Sequence, residues 1–485
     1  MTKRKNIILY CTDEQRFDLL GCMGHAGIQT PHVDALAADG AVFSNMYVQG
    51  TVCMPSRASI LTGKYPCIHG ITDNGFNLPE SQTTIADILR DAGYHTACVG
   101  RTHVTCSMPH PVLPREDYHG FAECHHSQCY WEGLDPHGDY LSWIKEEHPG
   151  WYDSAAMPNP VNRDDAFGAS WWDLPEELSM NAWITDVSLS VLKNGQEKNP
   201  DTPMFLWAGT WDPHPRYCAP SPWDKMYSPE VVPLPVRRDG ELDDLPPHYR
   251  KLARLRWTGS KSHDLDEIIK NTLSVYWGMI SHIDDQFGRL MRGIEALGMA
   301  DDTIVIFTSD HGDLSGDHWC WGKGPYWFDG SLKIPFVIAD GIGANHVDNR
   351  VLPNRRTNAL AEEIDILPTI LDLAGIDIPP AVQGLSLAPL LAGKTDTHRE
   401  DVYSEYHDHN QSGDVMFSVA TDRYRYVHYQ NRLYGELYDF ESDPNALYNR
   451  WDNPSYASVK SSMRDRLLNR LMANLERPDT RESKW

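Results

Sequence analysis

The sequence predicts an α/β protein built on a large parallel sheet, with a small antiparallel sheet and a helix at its C-terminal end. Three observations predict it. Short β-branched or apolar runs alternate with segments of helical periodicity through the first half. A long amphipathic segment leads directly into a buried run, Thr303–Thr308. From Val402 onward, strand-like runs follow one another and end in one helix.

The first strand is Ile7–Tyr10. The basic start, Lys3-Arg4-Lys5, imitates a signal peptide, but the apolar run is too short for one. It leads into Asp13-Glu14 with no small-residue cleavage site. Val42–Tyr47, Thr96–Gly100 and Met204–Ala208 read as further strands. Thr30-Pro31 looks like an N-cap followed by Pro at the first helical position, opening a helix through about Ala38. Thr83–Ala92 reads as a second helix, closed by Gly93. The longest helix runs from about Leu265 to Leu297, because Ile269, Leu273, Tyr276, Ile280, Ile283 and Phe287 fall in steps of three and four. Gly298 ends it, and Thr303–Thr308 follows as a buried strand. Such alternation implies parallel strands with helices on both faces, and ligands bind at the carboxyl ends of such strands. Asp13 and Asp310 each follow a predicted strand, so both are expected at that edge.

Two stretches lack periodicity. Ser107–Leu178 is rich in Pro, His, Trp and Tyr and reads as a long insertion over the sheet edge, shaping the substrate pocket. Asp201–Ser262 is rich in Pro, with little pattern beyond its first strand. Composition changes again near Gly393–Glu400. Beyond it, Val402–Tyr406, Met416–Ala420, Tyr424–Tyr429 and Glu436–Phe440 read as strands, and Ser458–Leu475 as a helix.

The chain has 485 residues, long enough for one large domain and a smaller one. Its 43 basic and 68 acidic residues give a net charge of -25. That balance argues against nucleic acid and anionic membranes, both of which need clustered Lys and Arg. An anionic substrate fits only where a metal or a few basic residues reverse the local sign. No stretch is long and apolar enough to span a bilayer, and a cytoplasmic location is expected. The 10 cysteines are too few for a dense disulfide framework in a chain this long, so most are expected reduced and buried.

One cysteine stands apart. In Cys53-Met54-Pro55-Ser56-Arg57, Pro55 fits the first turn of a helix over Ser56–Leu61 and Gly63 fits its end. Cys53 then sits at a helix N-terminus, where free N–H groups and the positive dipole end favour an anion. Arg57, four residues on, returns over the same face. The residues alone leave three readings: an inert buried thiol, a thiolate nucleophile, or an electropositive anion site.

Cys53-x-Pro55-Ser56-Arg57-x-x-x-Leu61-Thr62-Gly63 resembles the signature of the formylglycine-dependent sulfatases of the alkaline phosphatase superfamily, in which the Cys is oxidised to an aldehyde. Lys64 stands where that pattern usually has Arg. The resemblance continues through Asp13-Glu14-Gln15-Arg16, Thr30-Pro31-His32-Val33-Asp34, Gly100-Arg101-Thr102-His103, Pro213-His214, Asp310-His311-Gly312, Gly322-Lys323, and Leu437-Tyr438-Asp439 with Asp443-Pro444. It implies a mixed, mostly parallel sheet sandwiched by helices as a catalytic domain over residues 1–395. A C-terminal subdomain over residues 396–485 completes it. It also implies a metal held by Asp13, Asp310, His311 and the hydrated aldehyde at position 53. Oxygen-dominated ligation suits Ca²⁺, Mg²⁺ or Mn²⁺, and the family favours Ca²⁺. Glu14 stands where many relatives have a second Asp, and it is left out of the ligand set.

The resemblance further implies roles. Arg57 holds the aldehyde hydrate, Lys323 and His214 contact the transferred group, and His214 is the general acid. His103 takes the proton that lets the aldehyde expel sulfate. Arg101 replaces a family Lys as a substrate-binding cation, and Asn74 is a second substrate contact. The implied partners are a small-molecule sulfate ester and a formylglycine-generating maturation enzyme; a homo-oligomer is compatible. Hydrolysis of phosphonate monoesters or phosphodiesters is the alternative on the same scaffold. Relatives of that kind carry uncharged residues where Arg101 and His103 stand, so this cationic pair favours sulfate esters. A non-catalytic binding protein would lack catalytic groups, yet all main positions are filled. Trp319, Trp321 and Trp327 suit either a ring-bearing substrate or the core. Cys124-His125-His126-x-x-Cys129 resembles half a zinc site, but no second Cys/His pair follows at usable spacing, so structural zinc is not expected.

Overall fold

The computed structural model describes residues 4–105, 118–127, 138–156, 159–160, 169–257, 265–343, 350–409 and 413–475. Eight strands form the large sheet: β1 (Asn6–Thr12), β2 (Ala41–Phe43), β3 (His95–Gly100), β4 (Glu123–His126), β5 (Met204–Gly209), β6 (Thr303–Ser309), β7 (Phe336–Asp340) and β8 (Arg355–Thr357). Their order is β8-β2-β7-β6-β1-β5-β3-β4. β7 runs antiparallel to both of its neighbours, and every other pairing is parallel. The expected mixed, mostly parallel sheet is therefore observed.

β1 lies near the centre and is buried along its whole length. Its residues alternate between two cores, as a period of two requires. Ile7, Leu9 and Cys11 face one core with α2 (Cys53–Thr62), α3 (Ile85–Asp91) and α8 (Ile366–Ala374). Ile8 and Tyr10 face the other with α1 (Pro31–Asp39), α5 (Met180–Lys198) and α7 (Leu265–Ala296). Apolar burial on both faces is why the strands read as continuous hydrophobic runs.

The C-terminal part is the expected antiparallel sheet. It comprises β9 (Val402–His407), β10 (Val415–Ala420), β11 (Tyr424–Tyr429) and β12 (Gly435–Asp439), paired in sequence order. α9 (Ala457–Asn474) packs Met463 and Leu467 onto it.

Several expectations are corrected. Val42–Tyr47 is not one strand: Ala41–Phe43 joins the large sheet, whereas Met46–Tyr47 pairs with Ala361–Glu362. Thr30 precedes α1, but its side chain makes no cap there; Asp284 of α7 accepts the His32 and Val33 N–H groups instead. The 107–178 stretch does more than cover the sheet, since it supplies edge strand β4 and helix α4 (Asp139–Glu147). Much of it, with Cys106 and Cys129, lies outside the described residues. The 201–262 stretch contains α6 (Pro247–Trp257), a helix its prolines hid.

Candidate active site

Sheet register assembles the site. Thr12 pairs with Ser309 across β1 and β6, so Asp13 and Asp310 leave the sheet side by side. Gly100 of β3 pairs with Gly209 of β5 on the same edge, and the chain beyond them carries Arg101, His103 and His214. α2 approaches this edge with its N-terminus. The helix begins at Cys53, three residues before the expected start, after extended Val52, and ends at left-handed Gly63. Asn74 Oδ1 accepts the Met54 N–H at 2.9 Å, satisfying one of the helix's first donors.

Ligand atoms of Asp13, Cys53, Asp310 and His311 all lie within 4.8 Å of one another, and all four residues are buried. His311 Nδ1 is 2.9 Å from the Gly312 carbonyl, which can only accept. Nδ1 therefore carries the proton, and Nε2 turns a lone pair toward Cys53 Sγ at 3.3 Å. Arg57 Nε donates to Asp310 Oδ2 at 2.7 Å, and its Nη2 to Asp13 Oδ2 at 3.1 Å. Arg101 Nε reaches the same Asp13 oxygen at 2.7 Å. Asp13 Oδ1 instead faces Cys53 Sγ, at 3.7 Å. Two carboxylates and one inward-facing imidazole lone pair form a donor set that fits a divalent cation.

Charge is finely balanced here. Burial pushes Asp13 up, but Arg101, Arg57 and Lys323 together hold it well below the carboxylate range. Burial raises Glu14 to about 8, with Lys323 opposing. Burial and Asp13 raise the Cys53 thiol, which argues against a resting thiolate. Lys323 Nζ sits 2.9 Å from Cys53 Sγ and 2.8 Å from Glu14 Oε2. His214 Nε2 is 3.4 Å from the same Glu14 oxygen, while its Nδ1 faces the Pro215 carbonyl at 2.5 Å. Burial first, then Lys323, holds His214 well below its usual range. For His103 the causes are burial and then Arg101. An Arg101 Nη2 lies 2.7 Å from His103 Nδ1, so that nitrogen is an acceptor and Nε2 carries the proton. Arg101 also stacks on Trp211, 4.2 Å from the ring centre.

The fold thus brings together Asp13, Cys53, Arg57, Arg101, His103, His214, Asp310, His311 and Lys323. Asn74 belongs to the support of α2, through Met54. Glu14, left out at first, joins Asp13 and His214 in a second close group and adopts a left-handed backbone at φ 65. Ser56 and Glu363 were missed: Glu363 Oε2 is 2.6 Å from Ser56 Oγ, and Ser56 also donates to the Asp310 carbonyl. Ser56 was visible in the motif; Glu363, 307 positions away, carried no spacing signal. Arg16 clamps Asp18 and Asp317, outside the cluster. Trp321 and Trp327 are core residues, and Trp319 lies under Arg237.

Comparisons with known proteins agree with this layout. A family model described as Sulfatase matches residues 5–376, and one described as N-sulphoglucosamine sulphohydrolase, C-terminal, matches residues 316–473. The chain is 30% identical to an arylsulfatase of Clostridium perfringens, over 96% of this chain and 94% of that one. It is 29% identical to the multifunctional alkaline phosphatase superfamily protein PehA of Trinickia caryophylli, over 98% and 96%. Among solved structures, a phosphonate monoester hydrolase from Silicibacter pomeroyi superposes with a TM-score of 0.83 at 27% identity, covering 97% of this chain and 96% of the other.

Proposed function

The chain belongs to the sulfatase family and is a sulfuric ester hydrolase, and from that premise we propose an arylsulfatase-like activity whose nucleophile is made from Cys53. The observation that carries the reading is the buried cluster around residue 53, with Lys323 2.9 Å from its sulfur. Asp13, Asp310, His311 and residue 53 would hold the divalent cation, with Ca²⁺ first and Mn²⁺ or Mg²⁺ next. Residue 53, oxidised to formylglycine and hydrated, would supply a hydroxyl nucleophile that the cation polarises.

The remaining work falls to this chain's own side chains. Arg57 fixes both carboxylates from behind through its fork of donors. Lys323 presents a fixed positive charge where the oxygens of a transferred group would lie. His214 donates to the leaving oxygen only with a proton on Nε2. Its depressed basicity means that the negative charge of a bound ester must raise it first. Arg101 and His103 form the opposite wall. As arranged, His103 offers an Nε2–H donor, and accepting a proton requires Arg101 to release Nδ1.

Phosphonate monoester or phosphodiester hydrolysis is the second reading. It is favoured by the Silicibacter pomeroyi structure and by a further phosphonate monoester hydrolase from Agrobacterium radiobacter, which superposes with a TM-score of 0.79 at 26% identity. Of the pair expected to be cationic, Arg101 carries the positive charge and favours sulfate esters, whereas burial and Arg101 itself keep His103 neutral. Two measurements test the proposal. Mass spectrometry of the peptide containing residue 53, from protein made with a maturation enzyme, should show the aldehyde; active protein with only the thiol would overturn the mechanism. Comparison of kcat/KM for an aryl sulfate and a phenyl phosphonate should favour the sulfate, and a strong phosphonate preference would reverse the ordering.

A further inference from the structure

Behind the wall that carries Arg101 and His103 lies a second cluster of metal-ligating side chains. β3 and β4 form one edge of the large sheet, with Cys98 paired to Cys124 and Gly100 to His126. Paired residues of parallel strands, and residues two apart, share a face. Cys98, Cys124 and His126 therefore project together. Gly100 adds no side chain beside His126. Glu123 and His125 point to the other face, where Glu123 meets His95 at 2.9 Å and His125 at 3.0 Å. The ligand atoms of Cys98, Cys124 and His126 lie within 4.8 Å of one another, and all three residues are buried. Neighbouring groups hold His126 in place. The His126 N–H donates to Asp139 of α4 at 2.8 Å, and its ring meets Tyr118 edge-on at 4.8 Å. The Tyr118 hydroxyl accepts from Thr102 at 3.3 Å and lies 2.8 Å from Thr105. Thr102 stands between Arg101 and His103.

We propose that Cys98, Cys124 and His126 form a metal site for Zn²⁺, separate from the cluster at residue 53, which ties the sheet edge to the active-site wall. Two thiolates and a neutral imidazole suit a thiophilic ion and are poor ligands for Ca²⁺ or Mg²⁺. Two thiolates also balance one dication, so the buried site closes without net charge; Cu⁺ would leave one negative charge behind. Two cysteines and one histidine are a ligand set of three-ligand zinc sites, in which a further donor completes the shell. Binding breaks both S–H bonds, forms two Zn–S bonds and releases the two protons to solvent. Sequence spacing pointed downstream of His126, to Cys129, which lies outside the described residues; Cys98 comes from the preceding strand.

The test uses the full chain with Cys53→Ala, which removes the active-site sulfur. Titration with Co²⁺ should produce a saturable thiolate-to-cobalt absorption that Zn²⁺ abolishes. Adding Cys98→Ser or Cys124→Ser should remove it, and His126→Gln should weaken Co²⁺ binding by about tenfold or more. X-ray absorption at the zinc edge of the zinc-loaded Cys53→Ala protein needs no further substitution and should show sulfur in the first shell. A shell of only nitrogen and oxygen, an absorption surviving both serine variants, or a Cys98–Cys124 disulfide in the purified protein would overturn the proposal.

Discussion

Arg57 concentrates the electrostatic problem of this site in one side chain. It is fully buried and bonds both Asp13 and Asp310. Arg57→Met would leave two buried carboxylates short of a counter-charge, and breaking such a pair typically costs about 3–5 kcal/mol. A divalent cation on the same carboxylates would offset part of that loss, because ligands that bind only the folded state stabilise it. The urea midpoint of Arg57→Met should therefore drop most in chelator and less with saturating Ca²⁺. Equal losses in both buffers would mean that the carboxylates are not the cation's ligands. Arg57 was legible because it stands within a dense local motif. Glu14 was not: its place depends on a left-handed backbone and on Lys323, 309 positions away.

At the level of elements, short turns hold the site in place. Gly312 follows Asp310 and His311, the two proposed ligands just beyond the end of β6. A Cβ there would lie 2.0 Å from the Gly330 carbonyl oxygen, so Gly312→Ala must displace the Asp310–His311 turn. We expect a stability loss of roughly 1–3 kcal/mol, together with weaker Ca²⁺ binding, read by calorimetry. Unchanged Ca²⁺ affinity would show that the turn yields without moving the ligands. At the other end of the cluster, Asn74 caps α2 through its acceptor oxygen. Asn74→Ala should cost about 1 kcal/mol, while Asn74→Asp keeps the acceptor and should restore the melting temperature. Failure of Asp to rescue would return Asn74 to a role in substrate contact alone. Strands with a clear alternation or a continuous apolar run were legible, including all four C-terminal ones. β7 and β8 were not: β7 is a short run directly behind Pro335, and β8 begins with two arginines. Their pairing comes from the neighbours they meet, which local pattern does not encode.

Across the whole molecule, the two parts are joined by buried polar contacts as well as apolar ones. Glu436 of β12 accepts from Tyr438 at 2.6 Å, from Tyr429, and from Tyr249 of α6 at 3.2 Å. Burial raises its carboxyl to about 7, with the tyrosine hydroxyls opposing. The unfolded value is about 4.3, so the folded protein holds the extra proton between those limits. That contribution is complete below about pH 4.3 and is lost as pH rises through 7. Buried histidines such as His69 and His282, each lowered to about 3 by burial, act in the opposite direction, so the informative quantity is a difference. Glu436→Gln should gain roughly 1–3 kcal/mol relative to the parent on going from about pH 5 to about pH 8, read from urea midpoints. A pH-independent difference would place the proton elsewhere.

The register that sets Asp13 beside Asp310 also imposes a schedule. Cys53 is only 1% exposed in the finished fold, so under the proposed mechanism a maturation enzyme would have to reach it before the chain has folded. β1 cannot gain its β6 neighbour until residue 309 has been synthesised, and ribosomes add about 5–20 residues per second. The residue proposed as the nucleophile's precursor would therefore stay open for roughly 10–50 s during synthesis, a span set by the topology of the sheet and closed by folding itself.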